Sequence, residues 1–316
     1  LTRIEGDCAV GLRFTGDALP GLIAGIDEDL PQVSVTRAVE AELDERWSDA
    51  ASPEVVFARD YGDGRPFLRI ESDEEAGYRV WADGYGTHLI ARDGSRCSSA
   101  FPDEPAWRGL RLLAAQAMPL MTALRGREVM HGAGVVVADR LIGLVAASGT
   151  GKSATSANLM AQGGRFFADD VLPLDLADGT VIAHPGTRLA NVHERDFDAI
   201  DPDVRGNIGV PMGQTDKLHL EPAGFPGTLP LAALVFLERR PDTPETSLDP
   251  LEEDVPRRLL GNAFLPYLDL PARLGRQLEI AAALAQSVRL VRLRVAPGDD
   301  PSRVAARIGE WVRTLE

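Results

Sequence analysis

Six residues, Ser148-Gly149-Thr150-Gly151-Lys152-Ser153, constrain this chain more than any other stretch. They follow a continuous apolar run, RLIGLVAA, and precede a helical pattern from about Ser153 to Gln162 that Gly163-Gly164 stops. An unbroken apolar run reads as a strand buried on both faces. A strand, glycine-rich turn and helix in that order aim successive backbone N–H groups at one anion, ahead of a helix N-terminus. Gly149 and Gly151 allow the turns; Lys152 would reach β- and γ-phosphates, and the Ser153 hydroxyl would join a magnesium ion. One position departs from G-x-x-x-x-G-K-[ST]: Ala146 stands where the first glycine is expected. Alanine is strained there if the position needs positive φ, and costs little if it ends the strand with ordinary dihedrals.

The next apolar segment, RFFADDV, ends in Asp169-Asp170. Carboxyl ends of strands are where open α/β sheets place ligands. Adjacent buried carboxylates repel unless a metal or a shared proton relieves them. Phosphoryl transfer needs both a metal contact and an acceptor for the attacking hydroxyl's proton, which this pair could supply. Only two of the 33 basic residues are lysines, Lys152 and Lys217; the other 31 are arginines. A background so rich in arginine should keep lysine where a compact ammonium is needed. Lys217 is therefore a candidate for neutralising a transferring phosphoryl group. His131, just before the first buried strand, is a further candidate, and Arg188 a weaker one. The histidines at 184, 193 and 219 lack ligand spacing for zinc.

The chain is 316 residues long, enough for one large core or two modest domains. Segments up to about residue 100 are short, rich in β-branched and aromatic residues, and separated by Asp63-Gly64, Asp83-Gly84 and Asp93-Gly94, which reads as a small antiparallel β-rich module. The pattern divides the chain into a β-rich module, 1–104, and a nucleotide-binding α/β domain, 105–316. In the second, EPAWRGLRLLAAQAMPLMTALRG reads as a helix that Pro119 kinks or splits. RGNIGVPMGQT reads as a mobile loop and PDTPETSLDPLEEDVP as an exposed connection. A net charge of −15 disfavours nucleic acid. Two dissimilarly placed cysteines, Cys8 and Cys97, no run approaching the ~20 apolar residues of a membrane span and no export signal point to a cytoplasmic protein.

Taken together, His131-Gly132, Ala146 fifteen residues on, S-G-T-G-K-S, a helix, a Gly-Gly stop and RFFADDV resemble the HPr serine kinase/phosphorylase family. The closest likeness is to stand-alone HPr-kinase-like proteins of the lasso-peptide-kinase type, which carry a β-rich N-terminal module. The likeness covers about residues 105–240 well and the rest in outline. It implies an α/β fold with the mixed sheet of phosphoenolpyruvate-carboxykinase-like proteins. It implies that Ser148, Gly149, Thr150, Gly151, Lys152 and Ser153 bind ATP, and that Ser153 and Asp170 hold Mg2+. It also makes Asp169 and Asp170 the base and second metal contact, in an order left open, with His131 beside them. Two features depart from the HPr kinases proper. Ala154 follows Ser153 where they have an acid, and their glycine-rich second signature is not found, which argues against HPr as acceptor. The expected activity is transfer of the γ-phosphoryl group to a hydroxyl, most simply a serine of a peptide or protein. The rivals are a small-molecule kinase and a nucleotide-sensing module without turnover. Homo-oligomerisation, the reverse phosphorylase reaction and the choice of nucleotide base are left open.

Overall fold

The computed structural model describes residues 3–24 and 29–315. The chain divides into two compact units, Leu1–Val129 with Leu265–Leu274, and Met130–Phe264 with Gly275–Glu316. The division falls after Val129 rather than after residue 104, so the helical segment from Ala106 to Leu124 belongs to the first unit.

The first unit is built on an eight-stranded sheet in the order Arg3–Ala9, Leu12–Asp17, Gln32–Arg37, Arg96–Ala100, Gly86–Ile90, Gly77–Ala82, Pro66–Asp73, Glu54–Asp60. It is mixed, not purely antiparallel: Gln32–Arg37 pairs parallel with both of its neighbours. Helix Glu40–Ser48 covers part of it by burying Leu43 and Trp47 against Leu89 and Ala100. The helical segment is not broken at Pro119. A π-helical turn, Leu113–Ala117, widens the ladder just ahead of the proline, which sits in the first turn of Met118–Leu124. Proline offers no N–H, and a wider turn is one way a helix carries its ring. The segment 265–274 is tied in through Arg273, buried and bonded to Glu128 at 3.0 Å and to the carbonyls of Leu265 and Leu268.

The second unit holds a nine-stranded mixed sheet around the long strand Leu229–Arg239. That strand pairs parallel with Arg140–Ala146 on one side and Arg289–Val295 on the other, while Thr180–Ala183 meets its first residues antiparallel. Beyond Arg140–Ala146 lie Ala133–Val137 and then Arg165–Ala168, each antiparallel to its neighbour. The apolar runs are continuous because both faces are covered. Ile142, Leu144 and Ala146 join one core with Met160 and Ile308, and Leu141 and Val145 join the other with Phe167 and Leu284. Helices Lys152–Ala161 and Pro301–Arg313 pack on the first of these faces.

The stretches read as a mobile loop, 205–215, and as an exposed connection, 241–256, each contain an ordered element. Residues 202–214 form a 3-10 turn, Pro202–Asn207, and a strand, Val210–Gln214, and Ser247–Pro250 is a strand on Arg289–Val295. Pairing supplies what local propensity withholds, across a tight turn to Leu218–Glu221 in the first case and to a strand about 40 positions on in the second. Val210–Gln214 is an edge of a small three-stranded sheet whose centre is Leu218–Glu221 and whose other edge is Ala190–Val192. Among the described residues no helix is long and apolar enough to cross a membrane.

Candidate active site

The pairing pattern decides where the chemistry-bearing residues meet. Ala133–Val137 is antiparallel to both Arg140–Ala146 and Arg165–Ala168, so those two strands run the same way and end at the same edge of the sheet. His131-Gly132, at the start of the reversed strand, is at that edge too. The turn after Ala146, the acids after Ala168 and His131 are thus brought together by topology, although up to 39 positions separate them in the chain.

The turn has the conformation the glycines were expected to supply. Gly149 and Gly151 have φ of 79° and 108°, the left-handed region that favours glycine. Gly151 is the N-cap of Lys152–Ala161, and no side chain caps that helix. Its first N–H groups have no intrahelical acceptor. A Cβ at Gly149 would meet nothing within 4 Å, so the turn is open on that side. Ala146 resolves the one departure from the motif. It is the last residue of its strand, buried, paired with Leu237, and absent from the positive-φ positions. The motif's first glycine is not needed here. Ala146→Gly should therefore leave the fold intact and cost only ~0.5–1 kcal/mol of stability, read by thermal melting.

Lys152 connects the turn to the acids. Its side chain is 8% exposed, and Nζ donates to Asp170 Oδ1 at 2.5 Å. The backbone pivots at Asp170, where φ is 61° and the Val171 N–H bonds the Asp169 carbonyl at 2.8 Å. Aspartate tolerates this conformation better than most side chains. The pivot sends the two neighbouring carboxylates different ways. Asp170 faces Lys152, and lies 3.9 Å from His131 Nε2. Asp169 Oδ2 accepts from the Asn191 backbone N–H at 2.8 Å and from Asn191 Nδ2 at 3.0 Å.

Electrostatics separate the pair further. Burial, followed by the charge of Asp170, raises the Asp169 carboxyl above the ordinary carboxylate range, against the pull of Lys152 and the Asn191 donors. Partial burial also acts to raise Asp170, but the Lys152 ammonium and its hydrogen bond, then Lys217, outweigh it and hold the carboxyl low. Burial, then Lys152, lowers His131, and Asp170 only partly opposes them, so its imidazole is neutral at pH 7. Two carboxylates whose environments push them apart can divide acid–base and charge-holding duties.

Lys217 acts on Asp170 and His131 from the turn between Val210–Gln214 and Leu218–Glu221. Ser153 is half-buried in the first helical turn; Ser148, Gly149 and Thr150 line the loop. Arg188 is engaged elsewhere, paired with Glu221 at 2.5 Å and over the Phe225 ring. Sequence reasoning missed two residues of the site. Arg239, at the end of the central strand, donates from Nε to the Thr150 carbonyl at 2.9 Å; nothing marks it among 31 arginines. Asn191 is the other, and its only local signal is its place in a short apolar stretch, LANV.

The donor set suits a hard cation. Ser153 and Asp170 offer oxygen ligands, and among the described residues no group of three or more His, Cys, Asp or Glu could hold a metal unaided. Magnesium typically takes one or two carboxylates and completes its shell with phosphates and water.

No protein-family model matches the sequence, and no curated protein matches it. Among solved structures the chain is similar to the HPr(Ser) kinase/phosphatase from Coxiella burnetii, at 9% sequence identity and a TM-score of 0.31, over 59% of this chain and 94% of that one. A superposition that loose fixes neither a reaction nor a ligand.

Proposed function

We propose that the protein is an ATP- and magnesium-dependent phosphotransferase that passes the γ-phosphoryl group to a hydroxyl, with a serine of a peptide or protein as acceptor. The observation that carries this reading is the Lys152–Asp170 contact, which sets an amide-lined turn against a carboxylate pair. In this reading the amides of 148–153 and Lys152 bind the triphosphate, and Lys152 with Lys217 offsets the charge that develops on the transferring group. Ser153 and Asp170 would hold magnesium, which would neutralise charge on the β- and γ-oxygens. Asp169, whose raised carboxyl suits a proton acceptor and whose Oδ1 accepts no hydrogen bond among the described residues, would take the proton of the attacking hydroxyl. His131, neutral, borders the acceptor side. The serine acceptor itself rests on the family resemblance.

Incubation with γ-labelled ATP, magnesium and a pool of serine-containing peptides tests the reading. Label should pass to peptide, and chelation of magnesium should stop it. Tight ATP binding with no transfer to any hydroxyl would instead leave a nucleotide-sensing module.

A further inference from the structure

Behind Asp169 lies a line of hydrogen bonds that the reaction described above does not use. Asn191 and His219 are directly opposite each other across the antiparallel pair Ala190–Val192 and Leu218–Glu221. Residues opposite each other in such a pair share a face. Asn191 Nδ2 donates to Asp169, so the same amide presents Oδ1 on its other side, where His219 Nδ1 lies 2.8 Å away. An oxygen facing the ring nitrogen requires the proton on Nδ1. The far nitrogen, Nε2, is 3.2 Å from Thr215 Oγ1. Thr215 begins the turn that carries Lys217: its N–H bonds the Lys217 carbonyl at 2.9 Å, and its hydroxyl donates to Asp216 at 2.8 Å.

The His219 side chain is wholly buried. Its neighbours in the strand, Leu218 and Leu220, turn the other way and join the apolar core. Period-two alternation puts Lys217, His219 and Glu221 on one face and the leucines on the other. A buried imidazole costs free energy unless its nitrogens meet polar partners, and here they face the two segments that carry the site: Nδ1 the amide of Asn191 on Asp169, and Nε2 the Thr215 hydroxyl of the Lys217 turn.

We propose that His219 is a positioning residue. Through Asn191 it holds Asp169 with Oδ2 capped and Oδ1 left to receive a proton, and through Thr215 it fixes the turn from which Lys217 acts on Asp170. The consequence for catalysis rests on the phosphotransferase reading; the hydrogen-bond relay does not.

Two measurements on the full chain separate these. The first is the ring-nitrogen NMR signature of His219 in 15N-histidine protein. Nδ1 should be protonated at neutral pH in the wild type, and its signal should shift in Asn191→Ala. A bare Nδ1 would overturn the relay, whatever the activity. The second is steady-state kinetics with magnesium-ATP, followed as hydrolysis to water and as transfer to the serine-peptide pool. His219→Ala and Asn191→Ala should each lower kcat on the order of 10- to 100-fold with KM for ATP unchanged. The double variant should be no slower than the worse single, because the two act in series. His219→Asn keeps a donor near the place of Nδ1 and should recover most of kcat, whereas His219→Gln and His219→Leu should not. A histidine that merely fills space would be rescued best by leucine, and that result would sink the proposal. If the wild type shows the Nδ1 proton but transfers no phosphoryl group to water or peptide, the phosphotransferase reading fails and the relay stands.

Discussion

Replacing Lys152 with arginine should silence phosphoryl transfer almost as thoroughly as replacing it with alanine. In both variants the rate is expected to fall by about 10³-fold, ~4 kcal/mol of transition-state stabilisation. The ammonium is 8% exposed and reaches Asp170 at 2.5 Å from the first residue of a helix. A planar guanidinium is larger, and its donors are fixed in a fork that does not reproduce the single Nζ contact to Asp170. Folding should survive in Lys152→Met, since Asp170 is 42% exposed and water can replace its partner. The comparison is informative because this sequence uses arginine for 31 of its 33 positive charges. Single-turnover transfer from γ-labelled ATP, with circular dichroism as the folding control, reads the result. Wild-type rates in Lys152→Arg would show that charge alone suffices and that the lysine is incidental.

The same scarcity shows how far the sequence reaches. Lys217 stands out on composition alone, and its charge does act on Asp170. The turn at 148–153 and the acids at 169–170 are legible because each is a local pattern: glycines before a helix, and acids at the end of an apolar strand. Their meeting is legible only through topology, which puts the ends of Arg140–Ala146 and Arg165–Ala168 on one edge of the sheet. Asn191 has no such pattern. It reaches Asp169 from 22 positions away by way of a three-residue strand whose partner lies another 28 positions on. Strands that short leave almost no periodicity to read. KLHLE alternates polar and apolar residues, which reads as a strand with its polar face to solvent, so nothing local marks His219 as buried. A search for metal-ligand spacing is blind to it, because its partners are an amide and a hydroxyl.

The mobile-loop reading of 205–215 failed because its local signals point away from a strand. Pro211 and Gly213 are poor strand formers, and Val210 is 67% exposed, so nothing local favours extension. The strand exists because Leu218–Glu221 offers it a ladder, with a shift in register between Pro211 and Gly213 that absorbs the misfit. It in turn holds the turn from which Lys217 reaches the site. The strand Ala190–Val192, placed by pairing with the distant Leu218–Glu221, is thus both hard to see in the sequence and the one that brings Asn191 to the site.

Asp169→Asn should lower kcat for transfer by about 10²- to 10⁴-fold, the range set by losing a general base, while ATP binds as well as before or better. The substitution is nearly isosteric, and the amide oxygen can still accept the two bonds from Asn191, so the site keeps its shape. What it loses is the ability to accept a proton. Asp170→Asn should differ in kind: it removes the negative charge facing Lys152 and the candidate magnesium ion, and should raise the magnesium concentration needed for half-maximal rate. The pH profile separates the two further. Burial and the charge of Asp170 raise the Asp169 carboxyl, so its protonated form persists to a higher pH than an ordinary aspartate's. A protonated Asp169 cannot act as a base. The kcat/KM of the wild type should therefore rise with pH through that raised value and level off above it, because kcat/KM reports the free enzyme. In Asp169→Asn the residual rate should lack this limb. Asp170, held low by Lys152 despite its partial burial, stays ionised across the same range and contributes no limb there. If the limb persisted unchanged in Asp169→Asn and vanished in Asp170→Asn, the roles of the two carboxylates would be reversed.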